Sequence, residues 1–250
     1  MLEARNIAFS FKRDHPLLID ISLAVEPGTF TAILGQNGCG KSTLLSIMTA
    51  ARTADGGEVL LDGIPLAHID RRERARKIAF VAQHSHANRL TVFDSVLLGR
   101  RPFMDSAPTA EDLAIVANVL DELGLADYAL RYLDELSGGE YQIVVLARAF
   151  VQQTDTLLLD EPTNNLDPSN QQEVMRLVRS EVERRNIGAA AVMHDMNLAL
   201  RHCDRLLFIK DGVVDAFGDA DIVTAEQIER IYGMKADVIE HAGCKIVVPL

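Results

Sequence analysis

The sequence predicts an α/β fold with a mainly parallel central sheet, and three patterns support that prediction. Short apolar, partly β-branched runs recur along the chain, helical patterns lie between several of them, and a glycine-rich turn follows the first buried run. Strands that alternate with helices are typical of parallel sheets covered by helices on both faces. The predicted strands are residues 29–34, 58–62, 78–82, 156–160, 189–193 and 205–210.

Helical periodicity fills several of the segments between these strands. Residues 41–51, 140–153 and 169–185 are predicted to form helices. Residues 84–136 interrupt the alternation, because they contain helical patterns such as 110–123 but no convincing strand. We interpret that region as a helical insertion into an otherwise alternating fold.

A single domain accounts for the whole chain. We predict that residues 1–250 form it, with a core of 1–83 and 154–250 and a helical subdomain at approximately 84–153. The tail from Gly212 is expected to hold a hairpin, a short helix and a last strand. The short helix and the last strand are placed near 225–232 and 246–248.

Composition and charge restrict the classes of function. Of the 250 residues, 48% are hydrophobic and 24% are charged, as in ordinary globular proteins, and the net charge is −11. A nucleic-acid partner is disfavoured, since phosphate backbones are bound mainly through clustered lysine and arginine. The basic run 71–76 is interpreted as a solvated helix face. His84 and His86, with no third ligand in view, are interpreted as solvated loop residues.

Cysteine usage and the N-terminus bear on the cellular compartment. Three scattered cysteines without a paired spacing, and an N-terminus without a secretory signal, indicate reduced thiols in the cytosol. No apolar stretch approaches the length needed to span a bilayer. If the protein works at a membrane, we therefore expect another chain to take it there.

The glycine-rich turn at residues 35–43, GQNGCGKST, has the spacing of a phosphate-binding loop. Its glycines let successive backbone N–H groups point into one concavity, and the following helix adds its positive N-terminal end. Lys41 is expected to reach the β- and γ-phosphates of a nucleotide, and the Ser42 hydroxyl to ligate Mg²⁺. Cys39 is interpreted as a small turn residue, and the alternative is a thiol whose pKa the helix N-terminus lowers.

An acidic pair ends the apolar run TLLLDE at residues 156–161. At the carboxyl end of a central parallel strand, Asp160 and Glu161 would emerge beside the phosphate loop. Asp160 could then hold the Mg²⁺ shell, and Glu161 could orient the attacking water or take its proton. The sequence therefore predicts a nucleoside triphosphatase, and the missing guanine-specificity motif N/T-K-x-D argues against a GTPase.

A second glycine-rich helix start, LSGGE, lies at residues 136–140. Ser137 has the place of an N-cap with Glu140 three residues further on, which is the spacing of a capping box. Gly138 and Gly139 leave backbone N–H groups bare, so this helix start can also bind an anion. Two phosphate-binding helix starts suggest either two ligands or a site shared between two copies. A merely capped helix is the plain alternative.

With these motifs the sequence resembles the ATPase subunits of ABC transporters over essentially its whole length. GQNGCGKST is similar to that family's Walker A motif, TLLLDE to its Walker B motif and LSGGE to its signature. The resemblance implies an α/β P-loop NTPase fold with a mainly parallel core sheet, an N-terminal antiparallel β portion and a helical insertion subdomain. It also implies ATP as the nucleotide and Mg²⁺ as its metal ion.

Further single residues are similar to motifs of that family. Phe11, with Phe9 as the alternative, has the place of the aromatic residue that stacks on adenine. Gln83 has the place of the Q-loop glutamine, which senses Mg²⁺ and the attacking water. Asp167 lies in the D-loop and also suits a helix N-cap, and His194 has the place of the switch histidine that contacts the γ-phosphate.

The resemblance therefore implies a complete set of site residues. The expected catalytic residues are Glu161, His194, Gln83 and Asp167. The expected metal ligands are Ser42, Gln83 and Asp160. The residues expected to bind the nucleotide are Phe11, Gly35, Asn37, Gly38, Cys39, Gly40, Lys41, Ser42, Thr43, Ser137, Gly138 and Gly139.

A head-to-tail dimer is also implied by the resemblance. ATP would lie between the phosphate loop of one copy and Ser137, Gly138 and Gly139 of a second copy. Binding would close the dimer, and hydrolysis at Glu161 would release it and move attached membrane subunits. The expected partners are multi-span permease subunits and, indirectly, an extracytoplasmic substrate-binding protein, with no nucleic acid. The expected location is the cytoplasmic face of the cell membrane, reached through the permease.

The segment after Gln83 indicates a subgroup of transporters. Residues 90–102, LTVFDSVLLGRRP, lie where the family receives the coupling helices of its membrane partners. The pattern VLLGRRP and the tail around Tyr232 look like those of importers for iron-siderophore, haem, cobalamin or related metal chelates. Metal-oxyanion importers share much of the pattern, and an amphipathic helix packed on the insertion is compatible with both.

Two other classes of function compete with a transporter subunit. A soluble ABC-type ATPase acting in translation or on DNA usually carries two fused cassettes or a long coiled coil, and this chain shows neither a repeat nor sustained heptads. A nucleotide-binding regulator without turnover would be expected to lack Glu161 or His194. The transported compound is chosen by other chains, so this sequence does not name it.

Overall fold

A computed structural model describes residues 1–12, 15–83 and 89–250 of the chain. The expectation for His84 and His86 lies outside the described residues. The strands are β1 Leu2–Lys12, β2 His15–Val25, β3 Phe30–Leu34, β4 Gly56–Leu61, β5 Ile64–Pro65, β6 Ile78–Val81, β7 Thr156–Asp160, β8 Gly188–Val192, β9 Arg205–Lys210, β10 Val213–Gly218, β11 Ala236–His241 and β12 Cys244–Pro249. The helices are α1 Lys41–Met48, α2 Arg71–Lys77, α3 Val92–Leu97, α4 Ala110–Glu122, α5 Gly138–Phe150, α6 Pro168–Arg185, α7 Met196–His202 and α8 Ala225–Tyr232. None of these helices has the length and apolar character needed to cross a bilayer.

A six-stranded sheet, in the order β10-β9-β3-β8-β7-β6, lies at the centre of the described structure. The strands from β9 to β6 run parallel, and β10 joins the edge as the antiparallel arm of a hairpin with β9. Along β7, Leu157 and Leu159 belong to one buried cluster and Leu158 to another, so the strand is buried on both faces. Burial of both faces is typical of parallel sheets covered by helices, and the α/β prediction is confirmed.

The N-terminal part of the chain forms a separate antiparallel sheet. Its strands follow the order β2-β1-β4-β5, and Leu2 of β1 pairs with Val25 of β2 and with Leu61 of β4. Leu2 and Leu44 of α1 are fully buried in the same apolar cluster, so this sheet packs on the helix that follows the phosphate loop. The expected N-terminal antiparallel portion is therefore confirmed. The packing of this sheet on α1 holds the C-terminal end of β1 near the phosphate loop.

Between β6 and β7 the described chain is helical, as expected for the insertion. Val96, Val116, Leu120 and Val144, from α3, α4 and α5, share a buried cluster distinct from the two that cover the sheet. A separate apolar core is what a compact unit needs to keep its own shape. We therefore propose that this cluster is the core of the helical subdomain predicted at 84–153.

Some local features differ from the sequence predictions, and the helix expected at 41–51 ends at Met48. The helix expected at 140–153 begins at Gly138, because Ser137 caps it, and ends at Phe150. Strand β11, which pairs with β12, was missed. Most of its residues are partly or fully exposed, so no apolar alternation marks it in the sequence.

Candidate active site

The carboxyl ends of the parallel strands open onto a cavity of about 760 Å³. This edge is where open α/β sheets bind their ligands. The cavity brings together the glycine-rich loop, the end of β1 and residues that follow three strands of the central sheet. It is lined by Phe11, Leu17, Asn37, Gly38, Gly40, Lys41, Ser42, Thr43, Gln83, Glu161, Asn164 and His194.

The loop between β3 and α1 requires glycine at two positions. Gly40, the N-cap of α1, has a φ of 103°, and a Cβ there would lie 2.5 Å from Leu18 Cδ2. Gly35 has a φ of +147°, and a Cβ there would lie 2.2 Å from the Ile209 carbonyl oxygen. The positive φ disfavours other residues at both positions, and at Gly35 the backbone oxygen of Ile209 also leaves no room for a Cβ. The glycines allow the tight turn that leads into the helix.

Lys41 is buried, and its ammonium group lies inside the loop. Its Nζ donates hydrogen bonds to the carbonyl oxygens of Gly35, at 2.8 Å, and Gln36, at 2.9 Å. Lysine carries three donor hydrogens, so one N–H remains for a phosphate oxygen. No side chain caps α1, so its first backbone N–H groups add to the positive field of the lysine. The loop therefore has the chemistry of an anion site.

Asp160, the last residue of β7, contacts the first turn of α1. The Ser42 hydroxyl donates to Asp160 Oδ1 over 2.7 Å. Burial raises the pKa of the Asp160 carboxyl, and the hydrogen bond from Ser42 offsets only part of that effect. A carboxylate and a hydroxyl oxygen side by side are the kind of ligands that Mg²⁺ takes from proteins. These two residues therefore fit the expected metal ion.

Glu161 is held at the cavity by polar groups that follow three neighbouring strands. Gln83 Nε2, which follows β6, donates to Glu161 Oε2 over 2.5 Å, and His194 Nε2, which follows β8, lies 2.6 Å from Oε1. Asn164 Nδ2 donates to Oε2 over 3.0 Å. Only 12% of the Glu161 side chain is exposed, whereas 43% of the His194 side chain is. The arrangement fixes one carboxylate beside the phosphate loop.

The backbone at Glu161 turns sharply. Its φ is 52°, in the left-handed region that costs a non-glycine residue about 1 kcal/mol or more, and its N–H donates to the Val192 carbonyl oxygen at 3.1 Å. The two adjacent carboxylates have different surroundings, with Asp160 against Ser42 and Glu161 in the cavity.

Two cavity residues were missed by sequence reasoning. Asn164 follows Glu161 by three residues, and its N–H donates to the Glu161 carbonyl oxygen at 3.2 Å, so a turn returns its amide to the carboxylate. An asparagine at that spacing after a strand end is the signal that could have found it. Leu17 belongs to β2 and reaches the cavity only through the pairing of β2 with β1, for which no local pattern exists.

Of the two aromatic candidates, Phe11 lines the cavity and Phe9 does not. Phe11 is 62% exposed, whereas Phe9 is 7% exposed and belongs to a buried apolar cluster. An exposed ring at the cavity offers a face to a nucleobase, and a core ring does not. Phe11 therefore remains our candidate for the adenine contact.

The signature and the D-loop aspartate lie outside the cavity of the described chain. Ser137 Oγ accepts from the Glu140 N–H at 3.3 Å, and Glu140 Oε2 accepts from the Ser137 N–H at 2.8 Å, so the predicted capping box is present. Asp167 Oδ1 accepts from the Asn170 N–H at 2.9 Å and caps α6, as expected. One chain does not bring these residues to its own phosphate loop.

Cys39 faces away from the main cavity, toward a separate one of about 390 Å³ that Lys210 and Asp211 also line. Burial raises the pKa of its thiol, and the Lys41 cation offsets only part of the effect. Backbone N–H groups at the helix start also lower this pKa, but burial is the larger effect, so the net direction is opposite to the one that the reactive-thiol alternative requires. Cys39 is better described as a small residue of the turn.

Comparison with known proteins gives a consistent result. The family model described as ABC transporter matches residues 18–164. An ABC transporter ATP-binding protein of Methanocaldococcus jannaschii is 42% identical over 250 residues, covering 100% of this chain and 98% of the relative. The hemin import ATP-binding protein of Bordetella bronchiseptica is 38% identical, with 96% and 95% covered. The ferric enterobactin transport ATP-binding protein of Escherichia coli is also 38% identical, with 92% and 88% covered.

Solved structures are similar over most of their length. A metal-chelate type ABC transporter in an inward-facing conformation matches with a TM-score of 0.86 and 27% identity, covering 100% of this chain and 96% of that one. A dimeric ATP-binding cassette in a post-hydrolysis state with ADP and phosphate matches with a TM-score of 0.78 and 28% identity, covering 88% and 98%. The first similarity covers the whole chain and therefore includes the strand ends that form the cavity.

Proposed function

The chain belongs to the ABC transporter family, and from this premise we propose that it is the ATP-binding and ATP-hydrolysing subunit of an importer. Its cargo class is an iron-siderophore, haem, cobalamin or related metal chelate. The assignment of ATP hydrolysis rests on the position of the Glu161 carboxylate, which Gln83 and His194 hold beside the loop that contains Lys41. The similarity to hemin and enterobactin import proteins supports the cargo class.

ATP binds in the 760 Å³ cavity in this proposal. The triphosphate occupies the glycine-rich loop, where Lys41 and the start of α1 supply positive charge. Gly38 and Thr43 line the same part of the cavity, and Phe11 offers its exposed ring to adenine. Binding therefore uses backbone N–H groups for the phosphates and one aromatic face for the base.

Mg²⁺ would be held by Ser42 and Asp160, with the side-chain oxygen of Gln83 as a further ligand. The Ser42–Asp160 contact supports this choice, because it places two suitable oxygens beside Lys41. When bound, the ion neutralises phosphate charge. In its absence the same hydrogen bond satisfies both side chains.

Hydrolysis is assigned to Glu161. A water molecule attacks the γ-phosphorus, the bond from that phosphorus to the bridging oxygen breaks, and ADP and phosphate leave. The carboxylate orients the water and accepts its proton. His194, partly exposed in the cavity, would contact the γ-phosphate, while Gln83 and Asn164 hold the carboxylate through their amides.

A second copy of the chain completes the site in this proposal. Ser137, Gly138 and Gly139 would bind the nucleotide from the opposite side, and Asp167 would approach from the same copy. Two observations support the sharing: these residues lie outside the cavity of their own chain, and the solved cassette with ADP and phosphate is a dimer. ATP would close this dimer and hydrolysis would open it.

The dimer acts on permease subunits at the cytoplasmic face of the cell membrane, and a substrate-binding protein delivers the cargo to that permease. Residues 90–102 are the proposed contact. Leu98, directly after α3, supports this choice because half of its large apolar side chain is exposed. The segment follows Gln83 in the chain. A movement of the permease against this segment could therefore be coupled, through Gln83, to nucleotide binding in the cavity.

A pull-down from detergent-solubilised membranes of the source cell, with the tagged chain as bait, tests the importer assignment. Mass spectrometry should find a multi-span permease in an amount near that of the tagged chain. The permease should be enriched over a control pull-down in which an unrelated protein carries the tag. Recovery of ribosomes or only soluble partners would instead favour an ABC-type ATPase that acts outside transport. Ligands of the permease's binding protein would then identify the cargo.

A further inference from the structure

Arg52 lies against the ring that we assign to adenine. Its guanidinium carbon is over the Phe11 ring, 4.9 Å from the centroid, and 5.2 Å from the centroid of Phe9. The two phenylalanine rings meet edge to face, with centroids 5.0 Å apart and an interplanar angle of 89°. Both distances from the guanidinium carbon to a ring are within the range of a cation–π interaction.

Arg52 approaches the ring from outside the nucleotide cavity. Phe11 lines the 760 Å³ cavity, and Arg52 does not. Arg52 lines a different cavity of about 280 Å³ with Ile7 and Ile47, between the antiparallel sheet and the end of α1. A flat ring has two faces, so a cation on one face leaves the other available to a base.

The segment that carries Arg52 is fixed to β1 by hydrogen bonds. Asp55 donates its N–H to the Ala8 carbonyl oxygen at 2.9 Å, and its carboxylate accepts from the Ser10 N–H at 2.7 Å. These bonds hold the loop after α1 beside residues 8–11 of β1. Arg52 lies three residues before Asp55, so these hydrogen bonds keep it next to Phe11.

An exposed ring needs such a contact to keep one orientation. Phe11 is 62% exposed, and a mobile ring loses rotamer freedom when a ligand stacks on it. A cation that already holds the ring reduces that loss. It also draws electron density toward its own face, which favours stacking of an electron-rich base on the opposite face.

We propose that Arg52 is a positioning residue for nucleotide binding. It holds the Phe11 ring on the face opposite the nucleotide cavity and raises the affinity for the adenine base. The inference rests on the proposed function, because it requires that Phe11 stacks on adenine. It predicts an effect that depends on the base and not on the phosphates. No contact between Arg52 and the nucleotide itself is needed.

The test measures binding of MgADP and of magnesium pyrophosphate to the full-length chain by isothermal titration calorimetry. ADP and pyrophosphate share two phosphates and differ in the nucleoside, and neither is hydrolysed by an ATPase. Arg52→Gln should weaken MgADP binding about two- to fivefold, the effect of losing one exposed cation–π contact, and leave pyrophosphate binding unchanged. Arg52→Lys keeps the cation and should restore most of the affinity.

Two further variants serve as controls. Arg76→Gln removes another arginine that lies over a phenylalanine ring, 5.3 Å from the Phe103 centroid and away from the cavity, and should change neither affinity. Phe11→Ala should weaken MgADP binding, and adding Arg52→Gln to it should cause no further loss. Thermal unfolding of each variant checks that the fold is intact.

The outcomes separate failure of the inference from failure of the function. If Phe11→Ala weakens MgADP binding and Arg52→Gln does not, Phe11 stacks on the base without help from Arg52 and the inference is wrong. Equal weakening of pyrophosphate by Arg52→Gln would also overturn it, since the arginine would then act on the phosphates. If Phe11→Ala leaves MgADP affinity unchanged, the adenine contact in the proposed function is itself wrong.

Discussion

At the scale of single residues, the site separates two adjacent carboxylates. Asp160 is buried and bonded to Ser42, and burial raises its pKa. Glu161 faces the cavity, where amides and an imidazole hold it. The backbone at Glu161 is in the left-handed region, and the two side chains have different partners. We propose that the turn at Glu161 lets one strand end supply both a metal ligand and a proton acceptor.

Glu161→Gln should keep ATP binding and lose hydrolysis. The amide has nearly the same shape but cannot take a proton, so turnover should fall by about 10²- to 10⁴-fold. The variant should accumulate as an ATP-dependent dimer, which light scattering at saturating MgATP would detect. Glu183→Gln, at an exposed glutamate of α6, is the control with unchanged turnover. A Glu161→Gln chain that still hydrolyses ATP normally would refute the role of Glu161.

Asp160→Asn should stabilise the nucleotide-free protein, and the gain should depend on pH. A carboxyl with a raised folded-state pKa contributes stability that is fully present below its unfolded value, and that contribution is lost as pH rises through the folded value. Asparagine cannot ionise, so the melting temperature of the variant should exceed that of the parent increasingly as pH rises from about 4. Differential scanning fluorimetry between pH 4 and pH 8 measures this difference.

The control for that experiment is Asp155→Asn, at an exposed carboxylate 2.7 Å from Lys77. Loss of an exposed ion pair should be neutral or slightly destabilising at neutral pH, which is the opposite direction. A melting temperature for Asp160→Asn that stays below the parent value at pH 8 would contradict the expected direction.

At the scale of elements, two glycine-flanked helix starts differ in how their first N–H groups are used. Helix α1 has Gly40 at its N-cap and no side-chain cap, so its first N–H groups remain for a phosphate. Helix α5 has the Ser137–Glu140 capping box, which satisfies part of its start within the chain. The start of α5 is therefore stabilised by residues of its own chain, and the exposed Ser137 remains accessible to a second molecule.

Ser137→Ala and Thr224→Ala form a matched pair that separates capping from nucleotide contact. Thr224 caps α8 and accepts from the Gln227 N–H at 3.2 Å, much as Ser137 does from the Glu140 N–H at 3.3 Å. Each substitution should lower the free energy of unfolding by about 0.5–2 kcal/mol, measured by urea denaturation. Only Ser137→Ala should also reduce ATPase activity. Equal activity in both variants would mean that Ser137 acts only as a cap.

At the scale of the whole molecule, one chain holds two incomplete halves of the proposed site. The cavity carries the phosphate loop and Glu161, and the signature lies elsewhere on the described surface. The helical insertion that carries the signature has its own apolar cluster. Leu146 and Phe150 of α5 also pack in the cluster that covers the central sheet. We infer that this packing fixes both halves within one chain, so two copies can meet head to tail without refolding.

Mixing two inactive variants tests this sharing. Lys41→Ala loses the phosphate loop lysine and Ser137→Ala loses the signature serine, so each alone should hydrolyse ATP poorly. In a mixed dimer, one site combines an intact Lys41 with an intact Ser137 from the other copy. The mixture should therefore show ATPase activity well above either variant alone, measured as phosphate release.

The control mixture pairs Ser137→Ala with the Lys41→Ala/Ser137→Ala double variant. No mixed dimer of these chains contains an intact Ser137, so activity should stay low. Activity that is never restored in the first mixture, although mixed dimers form, would show that each chain uses its own signature.

Local chemistry in the sequence determined the phosphate loop, the acidic pair, the Ser137 cap and the alternation of strands and helices, because glycine torsions, capping and strand burial depend on residues close in the chain. Tertiary structure decided which distant groups meet. Gln83 and Glu161 are 78 residues apart and touch only because β6 and β7 are neighbours. Burial, which no short motif reports, raised the pKa of Cys39 where its helix position alone suggested the reverse.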